Sequence, residues 1–328
     1  MKNIAVIGLK RIGDAIYTLQ TFEALKRSYP EAKIIVFTES QVANIYEGNP
    51  FIDQIVSLSK KQFWKTTLQE LKQGHYDLCI VNHNAFKYAL LPFLAKVPMR
   101  IGFNKEARSF LLTHSRDLPT GVTHRLEHNA LILDLIGLES RDLLPRIYLT
   151  EQDDLAVSKL FQTFGLKDAQ YICFIVGSIA ATRRWFPENF ARVIDLISEK
   201  YGLKCVILGG PDDVEIAELV SSKVSCAESV LNLAGKTTLR GTMQLFSKSV
   251  AVISNDTGPM HVASALGCQV VTWFGAANEL EIAPPSASTT ILNTHVSCGP
   301  CVKETCPTGT LKCLHEITPE MVVSTLKC

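Results

Sequence analysis

The stretch AVISNDTGPMHVASALGCQVVTW, residues 251–273, decides the fold. It opens on a short unbroken β-prone run, 251–254, turns through Asn255, Asp256, Thr257 and Gly258, and enters a helix over 259–266. Pro259 suits the first turn of a helix, where the N–H it lacks has no intrahelical partner to lose. Gly267 stops the helix, and 269–273 is a second β-prone run. Two strands joined through a helix are parallel neighbours, because antiparallel neighbours need only a hairpin. Strands that are apolar without alternation are buried on both faces, so helices cover the sheet on both sides.

The same beat runs outward from this segment. Before it come a helix at 153–164, a buried strand at 171–176, a helix at 187–201 with Pro187 in its first turn, and a strand at 204–208 that ends in Gly209-Gly210-Pro211. The first half repeats the pattern with strands at 3–7, 33–37, 54–58 and 78–81. Helices are expected at 15–29, where Ile16, Leu19, Phe22 and Leu25 share a face, at 63–71, and at 125–136 with Gly137 as C-terminal cap. A chain of 328 residues is long for one core and comfortable for two. The expectation is an α/β protein of two doubly wound domains, 1–155 and 156–328, the second ending in a cysteine-rich tail. Open sheets of this kind bind ligands beyond the carboxyl ends of their strands, and with two such domains the cleft between them is the expected site.

Composition removes several function classes. Lys plus Arg total 33 against 32 Asp plus Glu, a balance that argues against a nucleic-acid-coating protein. The first apolar run, 4–8, is shorter than a signal-peptide core and is followed at once by Lys10 and Arg11. The segment 88–95 contains Pro92 and is far short of a bilayer span. A cytoplasmic protein is expected, with contact to the inner face of a membrane left open.

Two loops follow strands and precede helices. The first, Gly8-Leu9-Lys10-Arg11-Ile12-Gly13-Asp14, fails both phosphate-cradle patterns. A dinucleotide fingerprint needs glycine where Lys10 stands, and a P-loop needs Lys and then Ser or Thr where Asp14 and Ala15 stand. Asp14 has two compatible readings. As a helix N-cap it would be stabilised by the dipole, which lowers its pKa; as a general base it would take a proton from an acceptor hydroxyl. The second loop, 254–261, brings Thr257 and Gly258 to a helix N-terminus, an anion site in waiting, with His261 one turn further on. Taken alone, that segment reads better as an ordinary capped helix, and His261 reads equally well as a satisfied core histidine.

The two loops together resemble glycosyltransferase family 9, the ADP-heptose:lipopolysaccharide heptosyltransferases. The likeness rests on Arg11-Ile12-Gly13-Asp14, on Gly177-Ser178, on Arg183-Arg184-Trp185-Phe186-Pro187, on Gly209-Gly210-Pro211-Asp212-Asp213, on residues 254–267 and on Trp273-Phe274-Gly275. It extends into the tail through Cys313-Leu314 and residues 317–322, in order along nearly the whole chain. The resemblance implies two Rossmann-like doubly wound domains facing a cleft, the glycosyltransferase-B fold, with acceptor on the N-terminal domain and nucleotide-sugar on the C-terminal one. It implies Asp14 as catalytic base, and Ser178, Asp256, Thr257, Gly258 and His261 as donor-binding residues. Asp213, or else Asp212, matches an acidic position near the nucleoside. Either Arg183 or Arg184 stands where relatives carry a phosphate-contacting lysine, and Phe186 departs from their Trp-Pro pair. The helix after Asp14 also lacks the proline often found in relatives.

The expected chemistry is inverting, metal-independent transfer of a heptose or similar sugar from an ADP-sugar, ADP-heptose above all, to a glycolipid core acceptor at the inner-membrane surface. Lys60, Lys61, Arg100, Lys105, Arg108 and Arg116 are candidates to meet the acceptor's anionic groups, although solvated surface charge explains them as well. The rival functions are a heptosyltransferase acting on protein, a nucleotide-sugar epimerase, and a sugar-nucleotide-binding protein without turnover.

Ten cysteines complete the reading. Cys79, Cys173, Cys205, Cys226 and Cys268 read as buried free thiols. Cys298, Cys301, Cys306 and Cys313 supply the four ligands of a tetrahedral structural metal, but the later spacings do not repeat the first Cys-x2-Cys. Free or oxidised thiols bracing the tail are the alternative. Cys328 is expected at an exposed end.

Overall fold

The computed structural model describes residues 1–327, so Cys328 lies outside the described residues. The chain forms two compact units, Met1–Tyr148 and the segment from Leu149 onward. The boundary expected after residue 155 falls inside the helix Glu151–Phe164, which belongs whole to the second unit. That helix starts earlier than its apolar pattern suggests because a capping box closes its first turn: the Thr150 amide donates to Asp153 Oδ2 at 2.7 Å. Asp153 is also held by Arg240, whose Nε donates to Oδ1 at 2.8 Å, locking the helix to the helix Leu239–Ser247.

The first unit is a six-stranded sheet built of β1 (Asn3–Ile7), β2 (Lys33–Glu39), β3 (Gln54–Leu58), β4 (Leu78–Val81), β5 (Met99–Asn104) and β6 (His114–Asp117). Its strands lie in the order β3-β2-β1-β4-β5-β6, all parallel. The second unit repeats the plan with β7 (Tyr171–Ile175), β8 (Lys204–Leu208), β9 (Val230–Asn232), β10 (Ala251–Ser254), β11 (Val270–Trp273) and β12 (Thr289–Leu292). Their order is β12-β11-β10-β7-β8-β9, again all parallel. Each sheet therefore reverses direction once, between β1 and β4 and between β7 and β10. Loops on either side of such a reversal diverge and leave a crevice at the carboxyl ends of the strands. Register sharpens this: Ile7 pairs with Val81 and Ser254 with Ile175, so the two loops at each reversal leave the sheet side by side.

The helix expected over 15–29 is two helices, Ile12–Ile16 and Leu19–Ser28, with the Thr18 hydroxyl donating to the Ala15 carbonyl at the break. The helix expected over 125–136 ends at Asp134, and Gly137 takes its left-handed conformation, φ +73°, three residues later. Cys79, Cys173 and Cys205 are buried thiols as expected, Cys268 is half-buried, and Cys226 is exposed. Cys226 stands in the short turn before β9, beyond the cover of the core.

The second core is anchored by Trp185, Trp273, Phe174 and Phe190, all essentially inaccessible to solvent. The Trp185 and Trp273 rings lie 4.5 Å apart, and Trp185 Nε1 donates to the Leu314 carbonyl at 3.1 Å. The tail thus packs into the core, and the helix Pro319–Ser324 adds Val322 and Val323 to the same cluster. Phe186, the departure from the Trp-Pro pair, precedes the helix Pro187–Tyr201 and stacks on His315 of the tail at 4.2 Å.

Candidate functional site

At the reversal of the second sheet the buried Asn255 ties two loops together. Its amide donates to the Ile175 carbonyl, its side-chain NH2 donates to the Val176 carbonyl at 2.7 Å, and its Oδ1 accepts from the Trp185 amide at 3.0 Å. The segment 176–185 is therefore clamped at both ends by one side chain from the end of β10. Within it, Ser178 Oγ donates to the Asp256 carbonyl at 3.3 Å, and Arg184 Nη2 donates to the Ser178 carbonyl at 2.7 Å.

Arg183 and Arg184 go different ways because a short 3-10 turn, Ala181–Arg183, ends between them. Arg183 Nη1 lies 3.2 Å from Asp256 Oδ2, while Arg184 is exposed and braces the loop. Asp256 is 3% exposed, and its Oδ2 makes no aligned hydrogen bond. Burial pushes its carboxyl up to about 6, with Arg183 pulling the other way. Removing a carboxylate from water costs more than one off-axis ion pair returns, so a buried oxygen with spare acceptor capacity remains at the site.

The loop then reaches Thr257, which is extended and uses no side-chain hydrogen bond to cap the helix Gly258–Ala265. Amide groups at a helix N-terminus and the helix dipole favour an anion there. His261 is buried in this helix, on the turn that follows. From β8 comes Asp213, whose Oδ2 accepts the Gly210 amide at 2.9 Å. Its carboxylate lies against Gly177, where a Cβ would sit 1.8 Å from Asp213 Oδ1, so glycine is required at that position. Asp212 is exposed beside it, so Asp213 is the one of the two whose carboxylate lies against Gly177. Ser178, Arg183, Arg184, Asp213, Asp256, Thr257, Gly258 and His261 thus gather on the loops after β7, β8 and β10.

Asp14 belongs to the other reversal. The helix Ile12–Ile16 begins two residues before it, so Arg11 holds the N-cap position and makes no side-chain cap; the N-cap reading of Asp14 is corrected accordingly. Its pKa is raised by burial, with Arg125 and Arg11 opposing, and not lowered by a dipole as the cap reading implied. A five-residue helix has little dipole to offer, and the half-buried position costs the charged form more. Arg125 comes from the helix Arg125–Asp134, which is fastened to the segment after Asp14: Asn129 Nδ2 donates to the Tyr17 carbonyl at 2.7 Å and Gln20 Nε2 to the Leu126 carbonyl at 3.1 Å.

A cluster around Lys10, in the loop that leads to Asp14, escaped the sequence reading. Lys10 Nζ lies 2.9 Å from Glu39 Oε1 and 5.4 Å over the Tyr88 ring, and His83 stacks on that ring at 4.0 Å. His83 is pushed down to about 4, chiefly by burial and then by Lys10, Arg108 and Lys87. These groups come from separate strand ends, so no spacing announces them. Arg125 and Asn255 were missed for the same reason, although Asn255 stands directly beside the Asp256 motif. Among the basic residues considered for the acceptor, Arg108 is fully buried and donates to the Phe103, His83 and Ala85 carbonyls. Arg100 holds the Leu111 and Val97 carbonyls, and Arg116 lies 3.8 Å from Asp134. Lys60, Lys61 and Lys105 are exposed.

Cys298, Cys301, Cys306 and Cys313 are free thiols, and among the described residues no three His, Cys, Asp or Glu side chains form a group able to hold a metal. Cys298, Cys301 and Cys306 nevertheless lie near enough to Cys313 to add to the rise that burial gives its thiol. Cys313 packs on Gly275, where a Cβ would lie 2.6 Å from the Cys313 Cβ. The loop braces the arginine turn, Thr182 Oγ1 donating to the Lys303 carbonyl and the Val302 amide to Ala276. Cys306 is drawn down to about 7, first by its hydrogen bond with Thr308 and then by backbone amides.

The pattern of glycosyltransferase family 9 (heptosyltransferase) matches residues 64–312. Lipooligosaccharide heptosyltransferase 2 of Haemophilus ducreyi is 26% identical over 98% of both chains. Lipopolysaccharide heptosyltransferase 2 of Salmonella typhimurium is 26% identical over 98% of this chain and 97% of its own. Among solved structures, a glycosyl transferase family 9 protein from Veillonella parvula superposes with a TM-score of 0.87 at 25% identity, over 98% of this chain and 95% of that one. ADP-heptose lps heptosyltransferase II of E. coli shares the fold with a TM-score of 0.82 at 24% identity, over 99% and 97% of the two chains.

Proposed function

The chain belongs to glycosyltransferase family 9, the heptosyltransferases, and on that premise we propose that it transfers heptose from ADP-heptose to a lipopolysaccharide core sugar with inversion at the anomeric carbon. The observation that carries the residue assignment is the loop cluster at the second reversal, where Arg183, Asp256, Ser178, Asp213 and an uncapped helix N-terminus converge. The diphosphate would take the helix N-terminus at Thr257-Gly258 and the Arg183 guanidinium, which can meet phosphate oxygens bidentately. Arg183 then offsets the charge that grows on the departing ADP, the task for which other enzymes recruit a metal ion. Asp256 and His261 would accept or share hydrogen bonds with sugar and phosphate oxygens. Asp213 would meet the nucleoside, and Arg184 would hold the Ser178 loop in shape.

Asp14 is the proposed base. Burial raises its pKa, which strengthens it as a proton acceptor, and Arg125 and Arg11 oppose that rise. The acceptor hydroxyl, held by the first unit, loses its proton to Asp14 as its oxygen attacks the anomeric carbon, and the bond to the ADP oxygen breaks on the opposite side. The acceptor is a glycolipid, so the protein would work peripherally at the inner face of the inner membrane. The test is acceptor-dependent ADP release by purified protein given ADP-heptose and core acceptors, wild type beside Asp14→Asn. A fall of about a thousandfold with donor binding intact supports the reading; near-normal turnover in the variant would remove Asp14 from the mechanism.

A further inference from the structure

The helix Phe86–Leu94 breaks the usual rule for a surface helix. Its inner positions, Tyr88, Ala89, Leu91 and Pro92, are buried against the first sheet. Its outward positions should then be polar, yet beside the exposed Lys87 stand Phe93 and Leu94, each 40% exposed, while Phe86 and Leu90 are half-buried and pack on the core from its edge. Neighbouring elements extend the apolar face. Phe110, 66% exposed, lies 6.1 Å from the Phe86 ring, and Trp64, 37% exposed, points its indole N–H at the Lys87 carbonyl. A contiguous set of exposed aromatic and aliphatic side chains marks an interaction surface.

Charge identifies what it fits. Lys65 follows Trp64, Lys87 sits in the helix itself, Lys96 follows Leu94, and Lys105 precedes the loop that caps the helix; all four are exposed. The acid among them, Glu106, is engaged at the helix start, its Oε2 accepting the Phe86 amide at 2.7 Å. We propose that this face docks on an anionic phospholipid bilayer, with Trp64, Phe93, Leu94 and Phe110 entering the headgroup boundary and the lysines meeting lipid phosphates. A helix of nine residues lies on a bilayer and does not cross it, and aromatic plus lysine side chains are what an interfacial surface uses. A second copy of the chain fits less well, because a twofold pairing of this face would set its lysines against one another. The inference deepens the proposed function, since a docked surface would hold the enzyme where its glycolipid acceptor resides.

The test is cosedimentation of the full chain with vesicles of phosphatidylcholine alone or with about a third phosphatidylglycerol, at roughly 50 and 500 mM salt. Binding should require phosphatidylglycerol and fall at high salt. Phe93→Ser with Leu94→Ser should weaken it at least about tenfold, Lys65→Glu with Lys96→Glu should abolish its salt-sensitive part, and Leu280→Ser, on the second unit, should change nothing. Each variant should keep its melting temperature and its turnover on a delipidated acceptor. That separates the two ideas: lost vesicle binding with retained turnover supports docking, and vesicle binding without any turnover refutes the transferase reading alone. Equal binding by the Phe93/Leu94 variant and wild type, no binding by wild type, or self-association that the same variant abolishes would overturn the proposal.

Discussion

At the reversal of the first sheet, Asp14 sits half-buried on a five-residue helix with Arg11 and Arg125 as its cationic neighbours. At the reversal of the second, Asp256 is buried 3.2 Å from Arg183 and flanked by hydrogen bonds that join two loops. Both carboxyls are pushed up by burial. They differ in what surrounds them. Asp256 is immobilised in a dry, cross-braced corner, suited to hold a ligand's oxygens in one place. Asp14 is less deeply buried, and Arg125 and Arg11 oppose the burial that raises it, suited to exchange a proton. On the proposed reading the same strand order would serve binding in one unit and proton transfer in the other, divided by loops of a few residues.

The sharpest break of this comparison is Asp14→Asn against Asp256→Asn. The first should cut turnover about a thousandfold while leaving donor affinity unchanged, read by ADP release and by calorimetric titration with ADP-heptose. The second should show most of its loss in donor affinity. If both variants lost affinity equally, the two carboxylates would not divide the work. Next in size is the arginine pair. Arg183→Ala should weaken donor binding by about ten- to a hundredfold, the scale of a lost charge-assisted contact, whereas Arg184→Ala should cost about 1 kcal/mol of stability through the Ser178 carbonyl. Equal affinity losses would sink the assignment. Gly177→Ala should destabilise the second unit by about 1–3 kcal/mol, because its Cβ would meet the Asp213 carboxylate, and an added Asp213→Ala should recover part of it in denaturant melts.

The smallest effect is in pH. Asp256 is raised from 3.8 to about 6, so between those values the native protein holds a proton that the unfolded chain has released. The stability from this group is complete below about pH 4 and is lost as pH rises through about 6. Bringing a diphosphate to the same corner favours the protonated carboxyl further, so affinity for ADP-heptose should rise a few-fold as pH falls from about 7.5 to 5.5. The slope should vanish in Asp256→Asn; a slope that survives there would belong to another group.

The strands at 3–7, 78–81, 171–175 and 251–254 were legible in the sequence because they occupy the middle of their sheets and are apolar on both faces. β6, which reads His-Ser-Arg-Asp, and the three-residue β9 carry no such signal, because as edge strands they are partly open to solvent. The site divides the same way. Gly258-Pro259 after a β-prone run announces a helix N-terminus at a strand end, since local backbone chemistry is enough to specify it. The sequence by itself therefore determined two doubly wound sheets, the loops that carry their chemistry and the family they resemble. Only the tertiary structure decided that Arg183 meets Asp256 while Arg184 turns away, that Asp213 and not Asp212 lies on Gly177, that Asp14 is no helix cap, and that Cys313 of the tail packs on Gly275. Those choices depend on which way neighbouring side chains leave a turn and on which distant strand end lies beside them, and spacing along one chain encodes neither.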